Sequence, residues 1–271
     1  MEPALQRRVQ RYGWDKASGY YESYWQKQLY PAQQKLLELA SIKKGDRIID
    51  IACGTGLVSF PAAELAGEEG SVMANDISDK MVAIGNDIAK ERNITNISFQ
   101  RMDAEELTVE DNSFDIALCA LGLMYFPDPL KAIREMNRVL INGGHAVAAV
   151  WGQRKNCGWA EVFEIVDRRV ASEVCPMFYN LGNEGTLKQY LAAGGFKDIL
   201  VEKINTLLNY GTGDEACGAA FLGGPVALAF SKFSDDVKKE VYIEYLESIK
   251  SFKQSDGYRV PGEFVVAVGY K

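Results

Sequence analysis

The sequence predicts an α/β fold: a doubly wound, mostly parallel seven-stranded sheet with the last strand antiparallel, plus helical lid insertions. Between residues 47 and 151, short apolar strands alternate five times with helical segments, as in repeated βαβ units. A run of very small residues joins the first strand to the helix that follows it. A last apolar run at 264–270 supplies one more strand near the end of the chain.

The alternating part of the chain begins after a turn at 44–46. Asp128 and Pro129 are typical of a helix N-cap and first turn, and Gly143 and Gly144 are expected to end that helix. The other predicted elements are a strand at 47–51, a helix at 57–66, a strand at 71–76, a helix at 79–91, and strands at 96–101, 114–120 and 145–151.

The two ends of the chain have a different pattern. We predict a helix at 16–40 that begins with several aromatic residues and continues with an amphipathic part. The break Gly223-Gly224-Pro225 lies in a later helical region. Beyond residue 151, the predicted elements are helices at 158–172, 184–193, 213–230 and 234–252, and strands at 197–207 and 264–270.

The composition limits the partners and the location. The chain has 271 residues and a net charge of −7, from 30 basic and 37 acidic residues. No Lys/Arg-rich run is present, which disfavours a nucleic-acid or anionic-membrane surface. Apolar runs are shorter than a membrane span, and residues 1–11 lack the apolar core of a signal peptide. We therefore expect a cytoplasmic protein without nucleic-acid or membrane partners.

Five scattered cysteines and one histidine limit the chemistry. No CxxC pair is present, so we expect reduced thiols and no metal site. His145 opens a predicted parallel strand, at the end of the sheet opposite the expected ligand edge. A structural role is therefore expected for His145.

The strongest motif is Ile48–Gly56, where a strand ends in an acid and tiny residues turn tightly into a helix. Small side chains let a ligand approach the backbone, and the helix N-terminus offers unpaired N–H groups. The spacing Gly54-x-Gly56-x-x-Ser59 nearly matches a dinucleotide-binding pattern, so a nicotinamide-dependent oxidoreductase is one alternative. Asp50 and the missing third glycine argue against a pyrophosphate at this turn.

This segment resembles motif I of the class I methyltransferases that depend on S-adenosylmethionine (SAM), usually written hhDhGxGxG. Asp50, Ala52, Gly54 and Gly56 match the motif, with Ala52 in place of the usual first glycine. An acid beside the turn suits the cationic methionine end of SAM. The resemblance implies a Rossmann-like fold. It also implies that SAM is converted to S-adenosylhomocysteine (SAH) when it gives up its methyl group.

Two acidic residues after motif I occur in the same order as in this methyltransferase family. Asp76 ends the second strand, 20 residues after the last glycine of the motif, where an acid normally accepts hydrogen bonds from ribose hydroxyls. A role for Asp76 in capping the next helix is the structural alternative. Asp103-Ala104 resembles the family's D-A element, whose acid accepts from the adenine amine. Ile77 and Met81 match apolar residues that enclose the adenine in the family.

The resemblance covers residues 43–151 well and extends loosely to the turn at 193–196. Phe114-Asp115 and Phe126–Pro129 resemble the fourth-strand motif, and Arg138–Gly144 resembles the segment that leads into strand five. The cofactor-binding residues that the resemblance implies are Asp50, Ala52, Cys53, Gly54, Gly56, Asp76, Ile77, Met81, Asp103, Ala104, Ala120 and Leu121.

These elements predict three parts: an N-terminal helical cap at 1–42, a SAM-binding domain at 43–207 and 262–271, and a helical insertion at 208–261. Ligands bind beyond the carboxyl ends of parallel strands, and strand six should run parallel to strand five. The insertion is therefore expected to cover the acceptor as a lid, with an oligomer surface or plain padding as its alternatives. Candidate acceptor-binding residues are Tyr21, Trp25, Tyr125 and Trp151.

The expected function is in-line transfer of a methyl group from SAM to a small organic acceptor. No catalytic residue is assigned, although Tyr125, Tyr20 or Tyr21 can assist if the acceptor must lose a proton. A SAM-binding protein that does not transfer methyl is a second alternative. The sequence leaves open the acceptor, the attacked atom (O, N or C) and the oligomeric state.

Overall fold

A computed structural model describes residues 2–171 and 174–271 and confirms the predicted α/β class. The strands are β1 (Arg47–Ile51), β2 (Ser71–Asp76), β3 (Ile97–Arg101), β4 (Phe114–Ala120), β5 (Leu140–Trp151), β6 (Lys197–Tyr210), β7 (Lys253–Gln254) and β8 (Gly257–Tyr270). The helices are α1 (Pro3–Ala40), α2 (Ser59–Ala66), α3 (Asp79–Glu91), α4 (Pro129–Val139), α5 (Glu161–Asp167), α6 (Thr186–Ala193), α7 (Gly213–Phe221), α8 (Ala227–Phe230) and α9 (Asp235–Ser248).

The strands form one sheet in the order β3-β2-β1-β4-β5-β8-β6. Neighbouring strands are parallel from β3 to β5, whereas β8 is antiparallel to both β5 and β6. Strand β6 therefore runs parallel to β5, as the sequence predicted. The two-residue β7 pairs only with β8 and raises the number of strands from the expected seven to eight.

The sheet has its topological switch point between β1 and β4. From β1 the chain winds outward through β2 to β3 and then returns to place β4 on the other side of β1. Connections diverge at such a point and leave a crevice beyond the carboxyl ends of the strands. The crevice lies above the motif I turn.

The first helix is much longer than the predicted segment at 16–40. It begins at Pro3, where proline occupies the first turn, and contains a second proline, Pro31, in its interior. The helix packs against β4, β5, β6, β8 and α3 and also against α7 and α8 of the segment between β6 and β8. It buries Trp25, Leu29 and Leu36 in the core.

Several other predicted bounds were wrong. Helix α4 ends at Val139 and passes directly into β5, so Gly143 and Gly144 form an irregular part of that strand rather than the helix end. Gly143 has a φ of +82°, and a Cβ at Gly144 would lie 2.8 Å from the Asp115 carbonyl oxygen. The predicted bounds of β2, α3 and β4 are confirmed.

The later elements also differ in length. Helix α5 covers only the middle of the predicted helix at 158–172, whose last residue lies outside the described part of the chain. The predicted helix at 213–230 is two helices, α7 and α8, separated at the Gly-Gly-Pro break. Strands β6 and β8 extend further than predicted, because their ladder continues to the pair Tyr210 and Tyr258.

His145 is the sixth residue of β5 rather than the first, because the strand begins at Leu140, and it connects the sheet to α1. Its Nε2 atom is 2.8 Å from the Ala40 carbonyl oxygen at the end of that helix. Within residues 2–171 and 174–271, no helix, including the long α1, has both the length and the hydropathy of a membrane-spanning segment.

Candidate active site

A cavity opens at the switch point, with about 950 Å³ of empty space that includes the solvent at its open mouth. Thirteen of the sixteen predicted site residues line it: Tyr21, Trp25, Ala52, Gly54, Asp76, Ile77, Met81, Asp103, Ala104, Ala120, Leu121, Tyr125 and Trp151. The structure thus brings together the residues predicted for the cofactor and those predicted for the acceptor.

The motif I turn approaches the loop after β4 very closely. Ala52 and Leu121 have φ angles of +56° and +63°, a left-handed conformation that is uncommon for residues other than glycine. A Cβ at Gly122 would lie 2.6 Å from the Ala52 Cβ and 2.8 Å from the Cys119 Sγ, so only glycine fits there. The two loops therefore form a tightly packed floor for the cavity.

Asp76 fixes the shape of this floor. One of its carboxylate oxygens accepts the Gly54 N–H and the other accepts the Ser78 N–H, each at 2.9 Å. Burial raises the pKa of Asp76, and these hydrogen bonds oppose the rise. Each oxygen keeps a second lone pair, so Asp76 can still accept from ribose hydroxyls. The Tyr21 ring lies above the turn, 3.5 Å from where a Cβ of Gly54 would be.

Three predicted residues, Asp50, Cys53 and Gly56, are not part of the cavity wall. Asp50 is completely buried and accepts a hydrogen bond from the Ser59 hydroxyl at 2.5 Å, while its second oxygen has no partner among the described residues. Burial raises the pKa of Asp50 to about 7, although the hydrogen bond from Ser59 opposes this. A Cβ at Gly56 would lie 2.8 Å from the rings of Phe60 and Phe99, so this glycine is required by packing.

The predicted adenine end of the cavity contains an unexpected ion pair. Asp103 Oδ1 accepts the Glu105 N–H at 2.9 Å, whereas Asp103 Oδ2 lies 2.9 Å from Arg7 Nε. Arg7 also pairs with Glu105, whose other oxygen accepts the Asp128 N–H at 3.1 Å. The resemblance implies that Asp103 accepts a hydrogen bond from the adenine amine, and the structure shows that Asp103 is also paired with Arg7 of α1.

The other end of the cavity is aromatic. The Trp25 ring lies 6.1 Å from Trp151 and 5.7 Å from Trp159, and Trp151 and Trp159 are 4.8 Å apart, between ring centroids. Trp14 contacts Tyr125 edge-on at 5.2 Å. Apolar and small residues complete this wall: Leu29, Met124, Phe126, Pro127, Gly224 and Pro225.

Charge is divided sharply between the two ends. Among the described lining residues, the charged ones are Arg7, Asp76, Asp103 and Glu105, and all of them belong to or contact the β2 and β3 side of the sheet. The aromatic end belongs to the β4 and β5 side. An uncompensated charge would be costly to bury there, so this end suits a neutral ligand.

No general base at neutral pH is available from the tyrosines. Burial raises the pKa of Tyr21 and of Tyr125 far above the ordinary value of 10.0, so both hydroxyls stay protonated and act as donors. Tyr20, the third candidate, is 47% exposed and is not part of the wall. His145 lies at the opposite end of the sheet.

The sequence prediction missed several lining residues. Arg7, Gln10 and Trp14 lie on the part of α1 that precedes residue 16, and the Glu2-Pro3 pair was the signal for this earlier helix start. Trp159 was not among the four acceptor candidates. Nothing in the local pattern distinguished six further lining residues: Leu29, Asn75, Met102, Glu105, Gly122 and Met124.

The residues present fit a nucleoside-containing cofactor. The cavity is lined mainly by apolar side chains with a few polar groups among them, as small-molecule sites usually are. Asp76 supplies acceptors at the motif I turn, and the buried carboxamide of Asn75 in the wall has no protein partner among the described residues. Within the same residues, no cluster of three His, Cys, Asp or Glu side chains is placed to hold a metal ion.

Comparisons with known proteins agree with this geometry. Residues 23–195, more than half of the chain, match the model of the ubiE/COQ5 methyltransferase family. The demethylmenaquinone methyltransferase of Listeria welshimeri is 35% identical over 138 residues, which cover 51% of this chain and 58% of that protein. The ubiquinone/menaquinone biosynthesis C-methyltransferase UbiE of Azotobacter vinelandii is 35% identical over 129 residues, covering 47% and 51%. The chain therefore spans little more than half the length of these relatives.

A solved structure supports the fold. The YcgJ protein from Bacillus subtilis superposes with a TM-score of 0.62 and 19% identity, and the alignment covers 89% of this chain and 98% of that one. Because the family model matches most of the sheet and the motif I turn, the class I assignment made from the sequence is confirmed. This chain belongs to the ubiE/COQ5 methyltransferase family.

Proposed function

We propose that this chain transfers the methyl group of SAM to a ring carbon of a small, neutral aromatic acceptor of the hydroquinone class. The observation that carries the proposal is the aromatic end of the cavity. Its described lining residues are uncharged, and three tryptophans that contact one another form part of its wall. A flat, apolar ring can stack there, whereas an amine or a phosphate would lose its hydration without gaining a countercharge.

The names of the relatives support carbon as the atom that receives the methyl group. One is a demethylmenaquinone methyltransferase and another is a quinone-biosynthesis C-methyltransferase. A hydroquinone with an unsubstituted ring carbon is the simplest acceptor that agrees with the names of the relatives and also fits the uncharged, aromatic wall of this cavity. Its ring is neutral and planar, and its oxygen atoms activate the neighbouring carbon.

SAM supplies a methyl group bonded to a sulfonium cation. The new bond to the ring carbon replaces the bond between that methyl group and sulfur, which leaves neutral SAH, and the hydrogen of the ring carbon is lost to solvent as a proton. The chain's part is to bring the acceptor carbon close, to exclude water, and to hold the acceptor oxygen. Such positioning contributes roughly 7–11 kcal/mol in favourable cases. The Tyr21 ring lies over the motif I turn, where an aromatic face stabilises a nearby cation by about 0.5–2 kcal/mol.

We infer that the Tyr125 hydroxyl contacts the acceptor oxygen. Tyr125 belongs to the cavity wall, and its hydroxyl makes no hydrogen bond with the described residues. Since its pKa lies well above 10.0, it donates a hydrogen bond rather than removing a proton. A donor of this kind compensates the negative charge that forms on the acceptor oxygen when the neutral hydroquinone loses its hydroxyl proton to solvent, and that charge increases the electron density at the ring carbon.

We also propose that the segment between β6 and β8, residues 211–256, serves as a lid over the acceptor. Its residues Gly224 and Pro225 line the cavity, and the Trp25 Nε1–H donates to the Ala219 carbonyl at 3.1 Å. Replacing Pro225 with alanine should weaken acceptor binding several-fold and leave SAM binding unchanged. If this variant and the wild type have the same Kd for the acceptor, the lid proposal is wrong.

The function is tested by measuring SAH release with a small set of acceptors. A neutral hydroquinone with a free ring carbon should be methylated. The same compound with that carbon already methylated is the matched control and should be inactive, and versions that carry a carboxylate or an ammonium group should react at least tenfold more slowly. Preferred methylation of a charged acceptor would overturn the proposal.

A further inference from the structure

Asn75 carries a polar side chain that the protein does not satisfy. The residue is 1% exposed and lines the cavity, yet neither its Oδ1 nor its Nδ2 has a hydrogen-bond partner among the described residues. Its backbone is satisfied normally, because the carbonyl accepts the Cys53 N–H at 2.9 Å. The atoms of Asn75 that lack a hydrogen-bond partner are therefore those of its side-chain carboxamide. Buried polar groups almost always have partners, so one without any requires an explanation.

The position of Asn75 indicates why the protein provides no partner. It is the penultimate residue of β2 and pairs in register with Ile51 of β1, which is completely buried, and with Gln100 of β3, which is exposed. Met102, an apolar residue of the cavity wall, follows β3. None of these neighbours, Gln100 included, forms a hydrogen bond with the carboxamide. The carboxamide is therefore better explained by a ligand in the cavity than by the packing of the protein.

We infer that the Asn75 carboxamide hydrogen-bonds the adenosine part of SAM, an inference that rests on the proposed function. Asn75 directly precedes Asp76, the predicted ribose contact, and lies on the strand beside the one that leads to Asp103 and Ala104. Adenosine has both donors and acceptors, in its hydroxyls, its amine and its ring nitrogens. A carboxamide also has both, so it can form a complementary pair with such an edge. Asn75 is then a cofactor-specificity residue on the strand side of the site.

A substitution by leucine separates this role from a structural one. Leucine has nearly the shape of asparagine but has no polar atoms, so Asn75→Leu removes only the unmet polar atoms from the ligand-free protein. If the carboxamide serves the ligand, the ligand-free variant should have a Tm equal to or above that of the wild type. If the carboxamide serves the fold, the same Tm should fall.

Asn96 provides the matched control. Its Nδ2 donates to the carbonyl oxygens of Ala63 and Gly67, each at 2.9 Å, and it does not line the cavity. Asn96→Leu should therefore lower the Tm of the ligand-free protein and leave the Kd for SAM unchanged. The two variants are expected to show opposite patterns.

The experiment measures Kd by calorimetry, with no acceptor present, for SAM, SAH and 5′-methylthioadenosine, which lacks the amino-acid part. For Asn75→Leu we expect the Kd to rise about tenfold for all three ligands. A Kd for SAM within twofold of the wild type, or a lower Tm of the ligand-free variant, would overturn the inference. Normal binding of 5′-methylthioadenosine alone would overturn the assignment to adenosine. If wild-type protein binds SAM but methylates no hydroquinone, the proposed function fails and this inference stands.

Discussion

Arg7 and Asp103 form an ion pair, with Arg7 Nε and Asp103 Oδ2 2.9 Å apart, that connects the beginning of α1 to the loop after β3. The same guanidinium group contacts Glu105, which is 1% exposed. A second ion pair lies close by, between Arg11 and Asp79 at the start of α3. The first turns of α1 are thus held across the predicted adenine end of the cavity by charge.

Replacing Arg7 with methionine should lower the free energy of unfolding by about 1–3 kcal/mol, because Glu105 would remain buried without its countercharge. Denaturant unfolding measures this change. Arg8 is the control, since it is exposed and has no ion pair with any residue that the structure describes, and Arg8→Met should change stability by less than about 0.5 kcal/mol. Adding Glu105→Gln to Arg7→Met should recover part of the loss. Equal stability of the two single variants would contradict the assigned role.

Replacing Asp76 with asparagine should raise the Kd for SAM about ten- to a hundredfold. The variant keeps one acceptor oxygen but loses the negative charge, and charge-assisted hydrogen bonds are worth about 1.5–3 kcal/mol. Calorimetry measures the Kd, and Asp87→Asn on α3 is the control, because Asp87 is exposed and outside the cavity wall. An unchanged Kd in Asp76→Asn would refute the ribose assignment.

Asp50 should make stability depend on pH in an unusual direction. Its pKa in the folded protein is about 7, above the ordinary value of 3.8, so the native state holds this proton more tightly than the unfolded chain. The stability contributed by that proton is complete below about pH 4 and is lost as the pH rises through about 7. Between about pH 5 and pH 8, the wild type should lose about 2 kcal/mol relative to Asp50→Asn. Parallel stability profiles for the two proteins would contradict the raised pKa.

Replacing Tyr125 with phenylalanine should lower kcat about tenfold and leave the Kd for SAM unchanged. The variant keeps the ring and loses only the hydroxyl that is proposed to hold the acceptor oxygen, and one such hydrogen bond is worth about 1.5 kcal/mol. Because that donor favours the ionised acceptor, the pH at which turnover rises should also shift upward. Tyr20→Phe, at an exposed position outside the cavity, should behave as the wild type. A pH profile unaffected by Tyr125→Phe would contradict this role.

The sheet and the motif I turn were predictable because their signals are local. The strands β2 and β4 are short apolar runs between turn residues, and Asp128 does cap α4 by accepting the Lys131 N–H at 3.0 Å. The small residues of the turn likewise predicted a close approach of backbone and ligand. These patterns involve neighbours in the chain and need no knowledge of the rest of the fold.

The beginning of α1 and its role in the cavity were not predictable in the same way. The residues before 16 are mostly polar, and their helix is stabilised by ion pairs to partners such as Asp79 and Asp103, which are distant in the sequence. The unmet carboxamide of Asn75 is also visible only in three dimensions, since its sequence context is that of an ordinary strand end. The Gly143-Gly144 pair led to a wrong prediction for a different reason. Two glycines are a typical signal for the end of a helix, but here they lie inside the strand β5.

The central claim is methyl transfer from SAM to a ring carbon, and isotope labelling tests it most directly. The wild-type chain is incubated without oxygen with SAM that carries a trideuterated methyl group and with a neutral hydroquinone that has one free ring carbon. Mass spectrometry and NMR then locate the label and quantify SAH. We predict one trideuteromethyl group on the ring carbon for each SAH formed. Tight SAM binding with no labelled product, or a label on oxygen rather than carbon, would contradict the account.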